Sequence, residues 1–529
     1  MNKKQFFRRN SHLNVDESEI SRKWRVYQEE QEFLMMVEAE RQGRGQVTIP
    51  SPGGGSGSLD QEVIYSLSLS FDDISSANIL VGDSSNVVDW NTFFDLPTYG
   101  NPFTSVVIVG NGVQLFGGSD ITIKENTFIS NNSIIKVIDL GCVTSIYTDS
   151  FSYCENITEI SFPECLDITG GEYFDAGAFY GLLSLTSMYF PKLIAIDNQC
   201  FSNCTSLTTI DLPNLTIAGE NSFSNCSSLT TIDLPLLTTT AGETCFYNCT
   251  SLTTIDLPLL TTAGGDCFYN CTSLTTIDLP LLTTAGDGCF RNCTSLTTVD
   301  LPSLTTAGNN CFRDCTLPTT VNLPLLTTAD GSCFAYCTSL TTVDLPLLTT
   351  AGETCFYSCT SLTTIDLPLL TTTGDSCFQD CTALTTISLP LLTMTGNYCF
   401  ANCASLTTIS LPECTNLGST VGDNAVFANI TGQTITLTVP LSLMTCNGGN
   451  PDGDIQFLQA NNTVTIVISD SALRLTFDSI ANADLLVGDS ADVTDWNTFF
   501  DLPTYGNPFT GVDIAGNEVR LYGGIDITI

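Results

Sequence analysis

Pro213, Pro235, Pro258, Pro280, Pro302, Pro324, Pro346, Pro368, Pro390 and Pro412 recur every 22 residues, with one step of 23. Each marks a copy of one phrase, as in CFYNCTSLTTIDLPLLTTAGGD (245–266) and CFYNCTSLTTIDLPLLTTAGDG (267–288). A fixed period this short constrains the fold more than any other feature. In SLTTIDLPLL (251–260) the unit offers four large apolar side chains: Leu252, Ile255, Leu257 and Leu260. Burying them is worth ~6–12 kcal/mol. Fixing the backbone costs about 1–2 kcal/mol for every residue. A single unit therefore cannot fold. Stacked units cover each other's faces and pair their strands, so the expected fold is a solenoid.

Degenerate copies precede the regular ones (NITEISFPE, LTSMYFPK) and a divergent one follows (ITLTVPLSL). Strand cores from Ile138 to Leu437 give about 14 rungs. A short period with an LxxIxL core is the pattern of a leucine-rich repeat solenoid. The expectation is a parallel β-sheet on one face and short helical or irregular turns on the other, over residues 126–440, with a divergent repeat cap at 441–472. The Leu260 position stays leucine across copies, whereas the Leu259 position accepts Asn214 and Ser303. Leu260 is thus expected inside and Leu259 near the rim.

The flanks differ from the array. Residues 1–45 hold nine of the 16 basic residues. No Pro or Gly interrupts Asp16 to Arg41, and Ile20, Trp24, Tyr27, Leu34 and Val37 recur roughly at helical spacing. An amphipathic anchor helix is expected there, its stripe docking on a virion or scaffold partner through residues 15–42. A Gly/Ser/Pro linker follows at 46–60. Residues 67–123 then align without a gap to 473–529, with 40 of 57 positions identical. Each copy reads as a small α+β module (61–125 and 473–529): an alternating strand LSLSF, a short helix around Trp90, and paired strands about GN turns. Trp90 and Trp496 are expected in the module cores. The second copy stops where, in the first, the repeats begin. A half-unit end and a fragment of a longer tandem protein both fit that pattern.

The 24 cysteines include nine CxxxC pairs. The spacing is not the CxxC of zinc knuckles or thioredoxin-like sites. Ser222 and Ala178 replace the first cysteine in two copies, which a metal ligand or redox thiol would not tolerate. The pairs are read as reduced thiols filling the core, with rung-to-rung disulfides and metal binding as alternatives. The sole histidine is His12, so the array lacks the usual general base. The acids Glu413, Asp423, Asp452 and Asp454 could hide a glycosidase pair, but no pattern singles them out. No enzyme and no cofactor are expected.

Outside residues 1–45 the chain carries 7 basic and 48 acidic residues. Such a surface repels nucleic acid and anionic lipid, and suits salt, divalent cations or a cationic partner. No apolar run is long enough for a membrane span, so no membrane insertion is expected. MNKKQFFRRNSHLNVDESE has a basic start without an apolar core, so no secretory signal is expected. NCT and NCS triplets at Asn203, Asn225, Asn248, Asn270 and Asn292 match glycosylation acceptors. They are read as asparagines in a turn.

Outward positions of the strands read Thr, Thr and Asp. The candidate ligand-binding residues are Thr209, Asp211, Thr231, Asp233, Thr254, Asp256, Thr276, Asp278, Thr298, Asp300, Thr342, Asp344, Thr364 and Asp366. A carboxylate column at rung spacing repels itself by ~1–3 kcal/mol per pair. Weak Ca²⁺ or Mg²⁺ binding at Asp233, Asp256 and Asp278 is one way to relieve it. Residues flanking the Cys-Phe pairs vary, which suits an adaptable contact. Threonine also favours strands in its own right, a reading with no ligand at all.

The unit CxxLxxIxLPxxLxxAGxxCFxN resembles the BspA-like leucine-rich repeats, at Cys249, Leu252, Ile255, Leu257, Pro258, Leu260, Gly264 and Phe268. Cys267 departs from it, standing where the family usually has alanine. The resemblance covers about 300 residues. It implies surface exposure and partner binding, as in members from bacteria, protists and viruses, and carries no catalytic residues. The expected function is non-enzymatic adhesion to a surface protein or glycan. A virion surface is the expected setting, with a cellular surface protein or an inert spacer as alternatives.

Overall fold

The computed structural model describes residues 65–95, 102–169, 176–240, 243–418, 426–447, 450–469, 472–476, 511–515 and 518–522, with Ala491, Thr494, Trp496 and Asn497. The anchor helix and linker expected over 1–60 lie outside these residues.

One rung shows how 22 residues close a turn. The strand Thr254–Asp256 buries Ile255 and exposes Thr254 and Asp256. The LPLL segment then turns the chain, burying Leu257 and Leu260. A second strand, Thr262–Ala263, points Ala263 inward. Cys267, Phe268 and Cys271 line the return, all fully buried. Residues in the left-handed region sit on both sides of the next Cys-Phe pair, at Asp266 (φ 49) and Asn270 (φ 58). This conformation favours Asn, Asp and Gly, which fits the asparagines and aspartates that dominate the Asn270 column; the Asp266 column also holds Thr244, Ser332, Thr354, Ser376 and Tyr398 in the same conformation.

The second strand is the element that periodicity does not reveal. Its copies form one unbroken parallel sheet of 14 strands, from Ile121–Ile123 to Asn416–Leu417. Most are two residues long, too short for an alternation to register. Among the described residues no helix falls between 94 and 440. The remaining connections are irregular turns. The first-strand ladder is divided into shorter sheets, with breaks after Ser187–Tyr189, Thr231–Asp233, Thr276–Asp278 and Thr342–Asp344. The second break falls at the 23-residue step; the other three have no counterpart in the repeat spacing.

Phenylalanines run through the interior as a single stack from Phe128 to Phe427. Neighbouring rings lie 4.9 Å (Phe128–Phe151) to 5.8 Å (Phe400–Phe427) apart. In the regular rungs the planes are nearly parallel, at 5.3 Å and 3° for Phe246–Phe268. Offset stacking of this kind adds to the burial of each ring.

The first module is built onto the array. Its strand Ser66–Phe71 pairs antiparallel with Gly112–Phe116 on one side and with Ile134–Asp139, of the first rung, on the other. Asp73 and Asn86 cap the helices Ile74–Val81 and Val87–Phe93. Trp90 is buried, and its indole Nε1 donates to the Ser84 carbonyl at 3.0 Å. The second copy repeats the register: Leu473 faces Leu521 as Leu67 faces Leu115. Trp496 is likewise buried.

At the far end Thr434–Val439 pairs in parallel with Thr463–Ile468. The helices Leu441–Thr445 and Gly453–Asn461 fill the crossover. Residues 441–468 thus add another strand to the ladder.

Candidate binding face of the solenoid

Residues of the outward face come from successive copies of one strand and therefore stand in register. Thr209 and Asp211 lie beside Thr231 and Asp233, and Thr254 and Asp256 beside Thr276 and Asp278. Asp300 pairs with Asn322, which pairs with Asp344; Thr342 pairs with Thr320. Thr364 and Asp366 lie beside Thr386 and Ser388. Thr298 is exposed but falls just outside its strand, Val299–Asp300.

Three outward threonines per unit look alike in sequence and differ in the structure. The Thr253 column donates its hydroxyls to the equivalent backbone carbonyl one rung earlier, at 3.2 Å for Thr253 to Thr230 and 3.0 Å for Thr275 to Thr253. The Thr261 column does the same, at 3.1 Å for Thr261 to Thr238 and 3.0 Å for Thr283 to Thr261. These two columns tie rungs together. The Thr254 column makes no such bond, and together with the aspartates it forms a polar strip without a packing role. Within the strip, Asn322 Nδ2 donates to Asp300 Oδ1 at 3.1 Å. Asp233, Asp256 and Asp278 contribute one carboxylate per rung in a line. Among the described residues no three His, Cys, Asp or Glu side chains converge as metal ligands would.

The interior cysteines are free thiols; all are buried except Cys446. The second of each pair donates its S–H to the phenylalanine carbonyl one rung earlier, as Cys249 to Phe223 at 3.3 Å and Cys271 to Phe246 at 3.4 Å. Burial pushes the Cys226, Cys267, Cys315 and Cys399 thiols up to about 12. The thiolate is the nucleophile and the metal ligand, so these groups are chemically quiet.

The triplet asparagines occupy left-handed turns (φ 60 at Asn225 and Asn248) and bond to one another. Asn248 Nδ2 donates to Asn225 Oδ1 at 2.9 Å, and Asn270 Nδ2 to Asn248 Oδ1 at 2.6 Å. Beside this ladder the variable positions bring two tyrosines and an arginine together. Tyr247 stacks on Tyr269 at 5.0 Å, and the Arg291 guanidinium lies 5.5 Å from the Tyr269 ring centre. The acids of the divergent region have structural partners. Asp452 caps a helix by accepting from Asp454 N, and Asp454 accepts from Val426 N at 2.8 Å. Asp423 lies outside the described residues.

A parallel solenoid with a dry interior and a patterned outer face is a repeat-based binding scaffold. The pattern described as "BspA type Leucine rich repeat region" matches this chain in six copies, over residues 116–177, 172–281, 261–369 and 305–432. The chain belongs to this family. A search of curated proteins gave no significant match. Among solved structures, a leucine-rich repeat protein from Bacteroides ovatus is 24% identical, with a TM-score of 0.47, over 62% of this chain and 88% of that one. A leucine rich cell surface protein from Faecalibacterium prausnitzii is 18% identical, with a TM-score of 0.31, over 59% and 85% of the two chains. The pneumococcal vaccine antigen PcpA is 16% identical, with a TM-score of 0.34, over 69% and 96%. Proteins of this family are typically non-enzymatic and often lie at the cell surface. Among the described residues no helix is long and apolar enough to cross a membrane.

Proposed function

We propose that this chain is a non-enzymatic adhesion protein. Its solenoid acts as a stiff rod, and the strip of Thr254-type hydroxyls and Asp256-type carboxylates binds a surface protein or glycan. The observation that carries this reading is the division among the threonines. Two columns hold the fold together through their hydroxyls, and the third has no such task, yet it repeats rung after rung beside the aspartates. A repeating polar strip offers a repeating ligand many weak contacts, and rigidity lowers the ordering cost of using them together. The family's surface habit supports a cell surface as the setting. A virion appendage, attached through residues 15–42, is the more specific reading and rests on the organisation of the sequence.

Glycan arrays and binding to intact cells test the reading on the full chain. Replacing Thr254 and Thr276 by Val, with Asp256 and Asp278 changed to Asn, should weaken ligand binding about tenfold, the effect of losing one or two hydrogen bonds. Undiminished binding by this variant would remove the strip as the site. Absence of any ligand would favour the inert spacer.

A further inference from the structure

A second surface lies along the corner of the solenoid. The leucine after each proline is left partly exposed, from 37% at Leu259 to 46% at Leu281. The row runs from Leu236 to Leu391, with Ser303 as its interruption. The core does not require these side chains, because the next leucine in each unit (Leu260, Leu282) is the one that packs inside. Ser303 demonstrates the point: its hydroxyl donates to the Pro280 carbonyl at 2.7 Å and the rung closes normally. An ordered apolar row on a strongly acidic protein is the kind of patch that marks an interaction site.

Three residues before five of the seven leucines stands an aspartate of the same turn, as Asp256 before Leu259; Asn322 and Ser388 hold that place before Leu325 and Leu391. The ion pairs among the described residues are Lys124–Asp95, Lys136–Glu159, Lys192–Glu164 and Arg313–Asp314, and none involves this column. The corner therefore presents an apolar line beside a line of uncompensated negative charge. Its repeat follows the hydrogen-bonded parallel strands on either side of it, about 4.8 Å per rung. An α-helix advances about 5.4 Å per turn, so a helix laid along this corner slips by only ~0.6 Å per turn and meets one leucine per turn over three or four rungs. An extended strand, at ~3.3 Å per residue and ~6.6 Å per same-side pair, is out of step within two rungs.

We propose that the leucine row and its flanking aspartates form a docking edge for a basic amphipathic α-helix of a protein partner. Its apolar residues, one per turn, meet the leucines, and its Lys or Arg residues meet the aspartates. The edge shares its aspartates with the Thr254 strip but not its leucines, so the Leu→Ser and Thr→Val variants tell the failure of one reading from the failure of the other.

The probe is a fluorescent synthetic helix of about four turns, with Leu once per turn, Lys beside it and Ala elsewhere. Lys→Glu and Leu→Ser analogues serve as controls, and anisotropy is measured on the full chain. The array itself supplies mild substitutions: Leu259→Ser with Leu281→Ser follows Ser303, and Asp256→Asn with Asp278→Asn follows Asn322. Unchanged circular dichroism and melting establish that each variant is folded. The Lys peptide should bind, more weakly as salt rises, and each pair of changes should reduce affinity about tenfold. Thr254→Val should leave it unaltered. No binding, equal binding by the Lys→Glu peptide, or equal binding to the Leu→Ser variant would overturn the proposal. Loss of oligosaccharide binding, in place of peptide binding, in the Leu→Ser variant would also overturn it.

Discussion

At the scale of single residues, burial governs the chemistry. A buried thiol that donates to a carbonyl is held as S–H, so reagents that need thiolate should not reach it. Ellman's reagent should therefore find one reactive cysteine, Cys446, in the folded chain and all 24 in denaturant. Several reactive thiols without denaturant would contradict the packing. Asp139 is the buried carboxyl of the first rung, accepting from Gly141, Cys142 and Val143 backbone N–H groups at 2.9–3.1 Å. Burial raises it to about 7, against the pull of those hydrogen bonds. The folded chain then keeps a proton that the unfolded chain releases near pH ~3.9. The stabilisation is complete below that pH and is lost as pH rises through about 7, a change of up to ~4 kcal/mol. Asp139→Asn is neutral throughout. Between pH 4 and pH 7.5 the melting temperature of the parent should fall more steeply than that of Asp139→Asn; parallel curves would count against a raised value.

At the scale of elements, the glycine of the AG pair shows why part of the fold was legible and part was not. The first strand announces itself because Ile255 and Leu257 alternate with Thr254 and Asp256, with Leu252 completing the LxxIxL unit, and their inward placement follows from that pattern alone. The 14-stranded sheet has only two residues per strand, and its cause lies in backbone proximity between rungs. A Cβ on Gly396 would stand 2.3 Å from the Gly374 carbonyl carbon, and one on Gly352 2.6 Å from Gly331 N. Asp330 fills the same column while the strand before it, Thr328–Ala329, still pairs on both sides, so the backbone there accommodates a Cβ. Opening a tight approach costs about 1–3 kcal/mol. Gly265, one position on, has nothing closer than 3.4 Å. Gly396→Ala should lower stability by ~1–3 kcal/mol, whereas Gly265→Ala should be neutral or raise it by ~0.4–1 kcal/mol. Chemical denaturation of both variants checks the contrast. The candidate site was legible to the same degree. Spacing placed the aspartates outside, but it could not tell the rung-tying threonines from Thr254, because only hydrogen bonds between units distinguish them.

At the scale of the whole molecule, stability is a sum over rungs and the interfaces between them. Each rung meets only its neighbours, so the array has no central core that depends on its length. Removing residues 268–289 joins Cys267 to Phe290 and restores the phrase CFRNC without altering any column. The Phe246 and Phe290 rungs then stack as consecutive units, since both carry the same inward residues. Such a deletion should leave a folded chain with the same β-sheet signature. Its denaturant slope should be lower in proportion to the surface of the lost unit, because that slope follows the area exposed on unfolding. Removing half as many residues, 268–278, shifts every inward position of the following rung onto a turn and leaves no continuous stack of phenylalanines. That variant should lose cooperative unfolding in part of the chain or fail to fold. If both deletions behave alike, length rather than register holds the array together, and the column-by-column account of the interior is wrong.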